Sequence, residues 1–206
     1  MSFGQRRIDP SHLKPEFQKF SELLKKWNKT YNLTAITDDK SIAIKHFEDS
    51  LAPLHFLPSQ ARILDLGCGA GFPGIPLKIE NSDLEVILLD SVKKKIAFCE
   101  AVIRELKLQN ILAVCGRAED SEMIKKLGCF DAVISRATFS ITTFLKLAKP
   151  FLKKDAKVIM MKGPEWMREE KPNDAEWKLD KIFDYELTEN LGRRSLLIFK
   201  SNFAPL

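Results

Sequence analysis

From Pro15 to Trp27, apolar residues recur at Phe17, Phe20, Leu24 and Trp27, the spacing of an amphipathic helix that begins at a proline. A second stripe starts near Ser41 and sets Ile42, Phe47, Leu51 and Leu54 on one side, with Pro58 just past its end. Beyond residue 60 the period changes. Arg62–Leu66 is a short apolar run closing on glycines, and Glu85–Asp90, Ile111–Cys115, Ala132–Ser135 and Val158–Met161 repeat that pattern. Helical segments lie between these runs. In Ser91–Leu106, Val92, Ile96, Cys99, Ile103 and Leu106 form one stripe and Ser91 is placed to cap it. Phe144–Leu152 is another helix, ending before Lys153-Lys154-Asp155. Such alternation predicts a parallel sheet covered on both faces. The end of the chain breaks it: Lys181–Leu187 alternates, Asn190-Leu191-Gly192 turns, and Arg194–Lys200 returns as an antiparallel partner.

The expected architecture is therefore one α/β domain over residues 1–206, with an N-terminal helical cap (1–60) and a Rossmann-like core (61–206). Its sheet is mainly parallel and seven-stranded, with a C-terminal antiparallel hairpin. The apolar content of 45% is enough for a continuous core. No run approaches the ~18 apolar residues of a membrane span, and no apolar segment follows Arg6-Arg7 as a secretory signal requires. Cys68, Cys99, Cys115 and Cys129 form no Cys-x-x-Cys pair, so reduced, buried thiols are expected, with neither a disulfide framework nor a metal site. A cytoplasmic protein, monomeric and without a membrane partner, is the expectation. The net charge of +5 permits a nucleic-acid partner without requiring one.

The densest chemical signal is Asp65-Leu66-Gly67-Cys68-Gly69-Ala70-Gly71-Phe72-Pro73-Gly74, where the first parallel strand must turn into a helix. Gly67, Gly69 and Gly71 let the backbone bend sharply and approach a ligand closely. Gly69-x-Gly71-x-x-Gly74 also matches the dinucleotide fingerprint, which is weak alone. Context strengthens it, because Asp90 ends the next strand, where an acid can accept hydrogen bonds from both ribose hydroxyls of an adenosine cofactor. Asp65 separates the two main candidates. A carboxylate beside a pyrophosphate would repel it, whereas an ammonium group would be attracted. S-adenosylmethionine is favoured over a nicotinamide dinucleotide. Five parallel strands and a hairpin are also the strand plan of the class I methyltransferases.

Taken together, Trp27-Asn28-Lys29, Asn32-Leu33-Thr34, His46-x-x-Asp49-Ser50-Leu51, Gly69-Ala70-Gly71-Phe72-Pro73-Gly74-Ile75-Pro76-Leu77, Leu89-Asp90-Ser91, Gly116-Arg117-Ala118-Glu119, Ser135-Arg136-Ala137, Lys162-Gly163 and Gly192-Arg193-Arg194 carry a resemblance. Over nearly its whole length the chain resembles the bacterial 16S ribosomal RNA guanine-N7 methyltransferases, also called glucose-inhibited division protein B. The resemblance implies that Gly67 and Phe72 contact the cofactor, that Ala118 and Glu119 flank its adenine, and that Arg136 reaches the cofactor or a target phosphate. It also implies 16S rRNA, or the small subunit or its precursor, as partner.

The residues themselves narrow the chemistry less far. N7 of guanine carries a free lone pair, so its methylation needs positioning and no general base. Ser135-Arg136-Ala137-Thr138-Phe139 stands where amine methyltransferases carry an Asn/Asp-Pro-Pro-aromatic loop, and no cysteine sits at that strand end as a pyrimidine C5 enzyme needs. A ring nitrogen or oxygen target is left standing. Arg136 is the residue expected to matter for turnover, through its guanidinium fork. Lys162 ends the fifth strand on the ligand side, Arg193 and Arg194 open the last strand as candidate RNA-backbone contacts, and His46 can pair with Asp49 or face the substrate. The alternatives are a small-molecule or protein methyltransferase on the same fold, or a nicotinamide-dependent oxidoreductase.

Overall fold

The computed structural model describes residues 7–170, 172 and 175–202, so the first six residues of the expected leader-free N-terminus lie outside the described residues. Seven strands, β1 (Arg62–Leu66), β2 (Glu85–Asp90), β3 (Ile111–Cys115), β4 (Phe130–Arg136), β5 (Leu152–Lys162), β6 (Trp177–Glu186) and β7 (Arg193–Ser201), form one sheet in the order β3-β2-β1-β4-β5-β7-β6. Strands β1 to β5 are parallel, and β7 runs antiparallel to both β5 and β6. The order reverses between β1 and β4, where an open α/β sheet leaves a crevice at the carboxyl ends of its strands.

Because side chains alternate along a strand, the sheet buries two separate apolar layers. Ile63, Val86, Leu88, Ile134 and Ile159 face one layer; Leu64, Ile87, Leu89, Val133 and Val158 face the other. The first layer is covered by α1 (Pro15–Tyr31), α4 (Gly74–Glu80) and α5 (Lys93–Glu105), together with the helical run over residues 39–56. The second is covered by α6 (Ser121–Leu127) and α7 (Ile141–Ala148). No described helix is long and apolar enough to cross a membrane.

Several local expectations need correcting. The second helix is a composite: α2 (Asp39–Ser41), a π-helical segment Ile42–Glu48, α3 (Asp49–Leu51), and a 3-10 segment Ala52–Phe56. Ser91 does not cap α5, whose N-cap is Val92; the Asp90 side chain holds the Val92 N–H instead. Lys153, Lys154 and Asp155 lie within β5, because the last helix of the core ends at Ala148 and a single 3-10 turn follows. Cys68 and Cys99 are buried, but Cys115 and Cys129 are exposed, the former at the end of an edge strand.

The cap is fastened to the core by aromatic packing. Phe20 is fully buried and lies 5.4 Å from Phe47, 5.1 Å from Phe72 and 6.1 Å from Phe98, ring centre to ring centre. One ring of α1 thus touches the π-helical segment, the glycine turn and α5. Replacing Phe20 with alanine removes this anchor, and we expect a loss of about 3–5 kcal/mol with cap and core still unfolding together. Urea denaturation followed by far-UV and near-UV dichroism checks this; two separated transitions would mean that the cap is an independent unit.

Candidate active site

The glycine turn begins where β1 stops. Gly67 and Cys68 donate their N–H groups to Leu89 O at 2.7 and 3.1 Å, which ties the turn to the end of β2. Gly67, Gly69 and Gly71 have φ of 73°, 58° and 84°, values that L side chains rarely adopt. Their roles differ. A Cβ on Gly67 would meet Thr138 Cγ2 at 2.8 Å and close the crevice, whereas a Cβ on Gly71 would collide with Ile75 Cδ1, inside the protein. Gly69 has open space around its Cβ position, and its N–H donates to Asp90 Oδ2 at 2.9 Å.

A cavity of about 300 Å³ opens beside this turn. Gly67, Asp90, Lys95, Ala118, Glu119 and Phe139 are among its walls, so four of the expected cofactor residues come together here. Asp90 is buried; Oδ2 accepts from Gly69, Oδ1 accepts from Val92 at 2.9 Å, and Lys95 Nζ lies 3.7 Å from Oδ2. A carboxylate has about four lone-pair sites, so Asp90 keeps acceptor capacity toward the cavity while its orientation is fixed. The acid thus does two things: it holds the start of α5 and lines the crevice.

Asp65 lies beneath the turn. Its Oδ2 accepts from Gly74 N–H at 2.7 Å, and its Oδ1 is buried with no hydrogen-bond partner among the described residues. Burial raises its pKa from 3.8 to about 7, against the opposing pull of the Gly74 bond and the Arg136 charge. An unpaired buried carboxylate oxygen is costly; Asp65 is buried and not among the cavity's walls, and an ammonium brought down to it through the turn would satisfy it. The orphan oxygen and the Cβ-free wall at Gly67 fit an adenosine cofactor bearing an amino acid.

Phe72 is placed differently from the expectation. Its ring does not line this cavity; it is buried and stacks on Phe20 and, at 4.5 Å, on His46. Gly69 and Gly71 also shape the turn without lining the cavity. Conversely, Lys95, Arg117, Thr138, Phe139 and Leu147 line it unpredicted. The positive φ of Ala137, 54°, turns the chain so that residues 136–139 divide two spaces: Thr138 and Phe139 line the first, Arg136 and Ala137 a second.

That second cavity, about 410 Å³, is lined by Lys45, His46, Asp49, Arg136, Lys162 and Arg194 among others. Arg136, at the end of β4, is held over the Phe72 ring at 4.9 Å and donates to Lys45 O at 3.0 Å and to Asp49 Oδ2 at 3.4 Å. Its Nη2 lies 3.2 Å from His46 Nδ1. A guanidinium can only donate, so His46 Nδ1 accepts and Nε2–H donates to Thr34 Oγ1 at 2.8 Å. Burial first, and the Arg136 charge second, lower the His46 pKa to about 3, so the imidazole is neutral. Asp49 accepts from Tyr185 OH at 2.7 Å and also lies 3.7 Å from Arg194 Nε. Tyr185 and Asp49 are 136 residues apart, and nothing local in the sequence announces their bond.

Lys162 is not a free phosphate contact. It is buried, donating to Phe139 O at 2.6 Å and to Glu169 Oε1 at 2.7 Å, so its charge is already paired. Arg193 is exposed, and Arg194 bonds back to Arg193 O at 2.9 Å. Among the described residues no cluster of three or more His, Cys, Asp or Glu side chains could hold a metal ion.

The parallel order with a switch point, the glycine crevice and the trailing hairpin define a Rossmann-like class I methyltransferase fold. Solved structures share it: a putative O-methyltransferase from Klebsiella pneumoniae superposes with a TM-score of 0.63 at 13% identity, covering 93% of this chain and 92% of that one. A tRNA methyltransferase from B. subtilis gives 0.57 at 12% identity, over 77% and 66%. The family described as rRNA small subunit methyltransferase G matches residues 13–197, and the chain belongs to that family. The ribosomal RNA small subunit methyltransferase G of Oenococcus oeni is 45% identical over 150 residues, 71% of this chain. That alignment spans 62% of the relative, less than two thirds of its length. Its counterpart from Geobacter sp. strain M21 is 40% identical over 190 residues, 89% of this chain and 86% of the relative.

Asp65 gives a pH signature. Its native pKa lies above the 3.8 of an ordinary aspartate, so between about pH 4 and about pH 7 the folded chain holds a proton that the unfolded chain has released. This contribution to stability therefore falls as pH rises through that window. His46 acts in the opposite sense, adding stability as pH rises from about 3 toward 6.5. Asp65→Asn keeps an acceptor for Gly74 and removes the titration. The stability difference between variant and parent, from urea midpoints, should grow in the variant's favour from about pH 5 to about pH 8; a constant difference would contradict the shift.

Proposed function

We propose that this chain transfers a methyl group from S-adenosylmethionine to N7 of a guanine in small-subunit ribosomal RNA. The adenosine half of the cofactor belongs in the first cavity, with the ribose hydroxyls on Asp90, the adenine beside Ala118 and Glu119, and the ammonium toward Asp65 Oδ1. When bound, the cofactor supplies an electrophilic methyl group on a sulfonium.

The observation that carries the reading is the chemistry of the second cavity. Its two candidate bases are both engaged: His46 is neutral with both ring nitrogens bonded, and Asp49 is bonded to Tyr185 and Arg136. Such a site suits a nucleophile that needs no deprotonation, as guanine N7 does. Arg136, gripped by Lys45 O, Asp49 and His46, presents a pre-oriented guanidinium whose task is to position the base and its phosphate. A base turned out of a loop or single strand would reach this space, as RNA-reading enzymes require. Lys162, paired with Glu169, serves to hold the wall rather than to bind phosphate. Family membership supports ribosomal RNA over a small molecule or protein as the substrate.

The test is incubation with labelled S-adenosylmethionine and unmodified small subunits or their RNA, followed by nuclease digestion and mass analysis. Label in 7-methylguanosine is expected; label on protein or small metabolites alone would overturn the reading. Arg136→Ala should lower turnover by roughly 10²-fold and stability by only about 1–3 kcal/mol, with cofactor binding retained; full activity would remove Arg136 from the site. At saturating cofactor and RNA, kcat should be flat from about pH 6 to about pH 9, because no base titrates in the step. A sigmoidal rise with a midpoint near neutrality that persists in Asp65→Asn would show that a base takes part.

A further inference from the structure

A third cavity, of about 520 Å³, lies between the 3-10 turn Pro164–Arg168 and the β6–β7 hairpin. We propose that it seats a nucleotide flanking the target guanine, its base stacked on Trp166 and Met167 and its phosphate on Arg193. The proposal rests on the RNA reading above and names a subsite that the transfer chemistry does not use.

Continuity comes first. Arg194 lines both this cavity and the second one, so the space for the target base and this space meet at one side chain. A strand entering the second cavity can leave it across Arg194.

The walls are held in place before any ligand arrives. Trp166 Nε1–H donates to Ser195 Oγ at 3.0 Å, and the Ser195 hydroxyl donates to Asp184 Oδ1 at 2.6 Å. At the back of the turn, Glu169 is paired with Lys162 and accepts from Ile141 N–H at 2.9 Å. The indole is thus held by β7, and the turn that carries it is tied through Glu169 to Lys162 at the end of β5. Beside it Met167 is 73% exposed, the most exposed large apolar side chain among the described residues. An apolar side chain kept in water next to a fixed ring contributes little to the fold and offers a soft, polarizable surface to a flat base. Proteins that bind unstacked RNA use such platforms, with cationic groups along the backbone.

The charges sort the nucleotide's orientation. The exposed Arg193 side chain makes no hydrogen bond or ion pair among the described residues. It is placed to take a phosphate, which also draws on Arg194. Glu186 stands opposite Arg193 in the strand pairing and, with Asp184, gives the same cavity an acidic edge. These carboxylates repel phosphate and accept from the exocyclic amine of a base. The phosphate therefore lies at Arg193, whose charge Glu186 offsets only in part across the strand pair, and the base edge lies toward Asp184.

The experiment measures binding of unmodified small-subunit RNA to the full chain across a salt series, with S-adenosylhomocysteine binding measured in parallel. Arg193→Ala should weaken RNA binding several-fold and flatten the plot of log affinity against log salt by about 0.7. Met167→Ala should weaken binding several-fold without changing that slope, and Met167→Phe should restore it. Affinity for S-adenosylhomocysteine should stay at the parent value in all three, which separates a lost subsite from a damaged fold. Parent-like RNA affinity and slope in both alanine variants would overturn the subsite. If the parent chain methylates RNA while those variants bind as it does, only this inference fails. A parent chain that neither binds nor methylates RNA removes the underlying reading as well.

Discussion

The arrangement at the carboxyl edge of the sheet depends on a constraint at Asp90, where one buried carboxylate must satisfy the backbone of two neighbouring connections. One oxygen holds the N–H of Gly69 in the turn after β1, and the other holds the N–H of Val92 at the start of α5. The turn cannot collapse into the crevice while these bonds persist, and the crevice keeps its shape without a ligand. Neither bond exhausts its oxygen. The group that fixes the loop therefore also faces the cavity as an acceptor, and rigidity and recognition come from the same atoms.

Beside this edge the cap completes a second space. Its π-helical segment carries Lys45 and His46 and leads into Asp49, and all three meet Arg136 from the end of β4. Helices of this kind are rare and tend to occur at functional sites. The polar groups gathered there are strongly coupled. Burial, helped by the Arg136 charge, keeps His46 neutral, Asp49 balances Arg136 and Arg194, and the Tyr185 hydroxyl completes Asp49. The result is a pre-oriented enclosure whose one imidazole is held neutral. It suits a reaction in which geometry does more than acid–base chemistry.

Much of this was legible in the sequence because the strongest signals are local. The runs at Arg62–Leu66, Glu85–Asp90 and Ile111–Cys115 match their strands to the residue, since buried parallel strands read as uninterrupted apolar runs. The last strands are longer than their apolar centres: β5 begins at Leu152, which pairs with Phe130, and the polar Lys153–Asp155 form an irregularity before pairing with β4 resumes at Lys157. The glycine turn and Asp90 were legible for the same local reason. The orientations of Phe72 and Lys162 were not legible because position in a motif does not reveal direction. The Phe72 ring turns inward to Phe20 and His46, and the Lys162 ammonium turns to Glu169. Long-range bonds such as Tyr185 to Asp49 leave no local trace at all.

Whether the crevice is the adenosine site is decided most directly by a crystal structure with S-adenosylhomocysteine bound. The account predicts both ribose hydroxyls within hydrogen-bond distance of the Asp90 carboxylate, the adenine against Ala118, and the ligand's ammonium at Asp65 Oδ1. A nucleoside lodged in either of the other two cavities, or an Asp90 side chain turned away from the ligand, would contradict it.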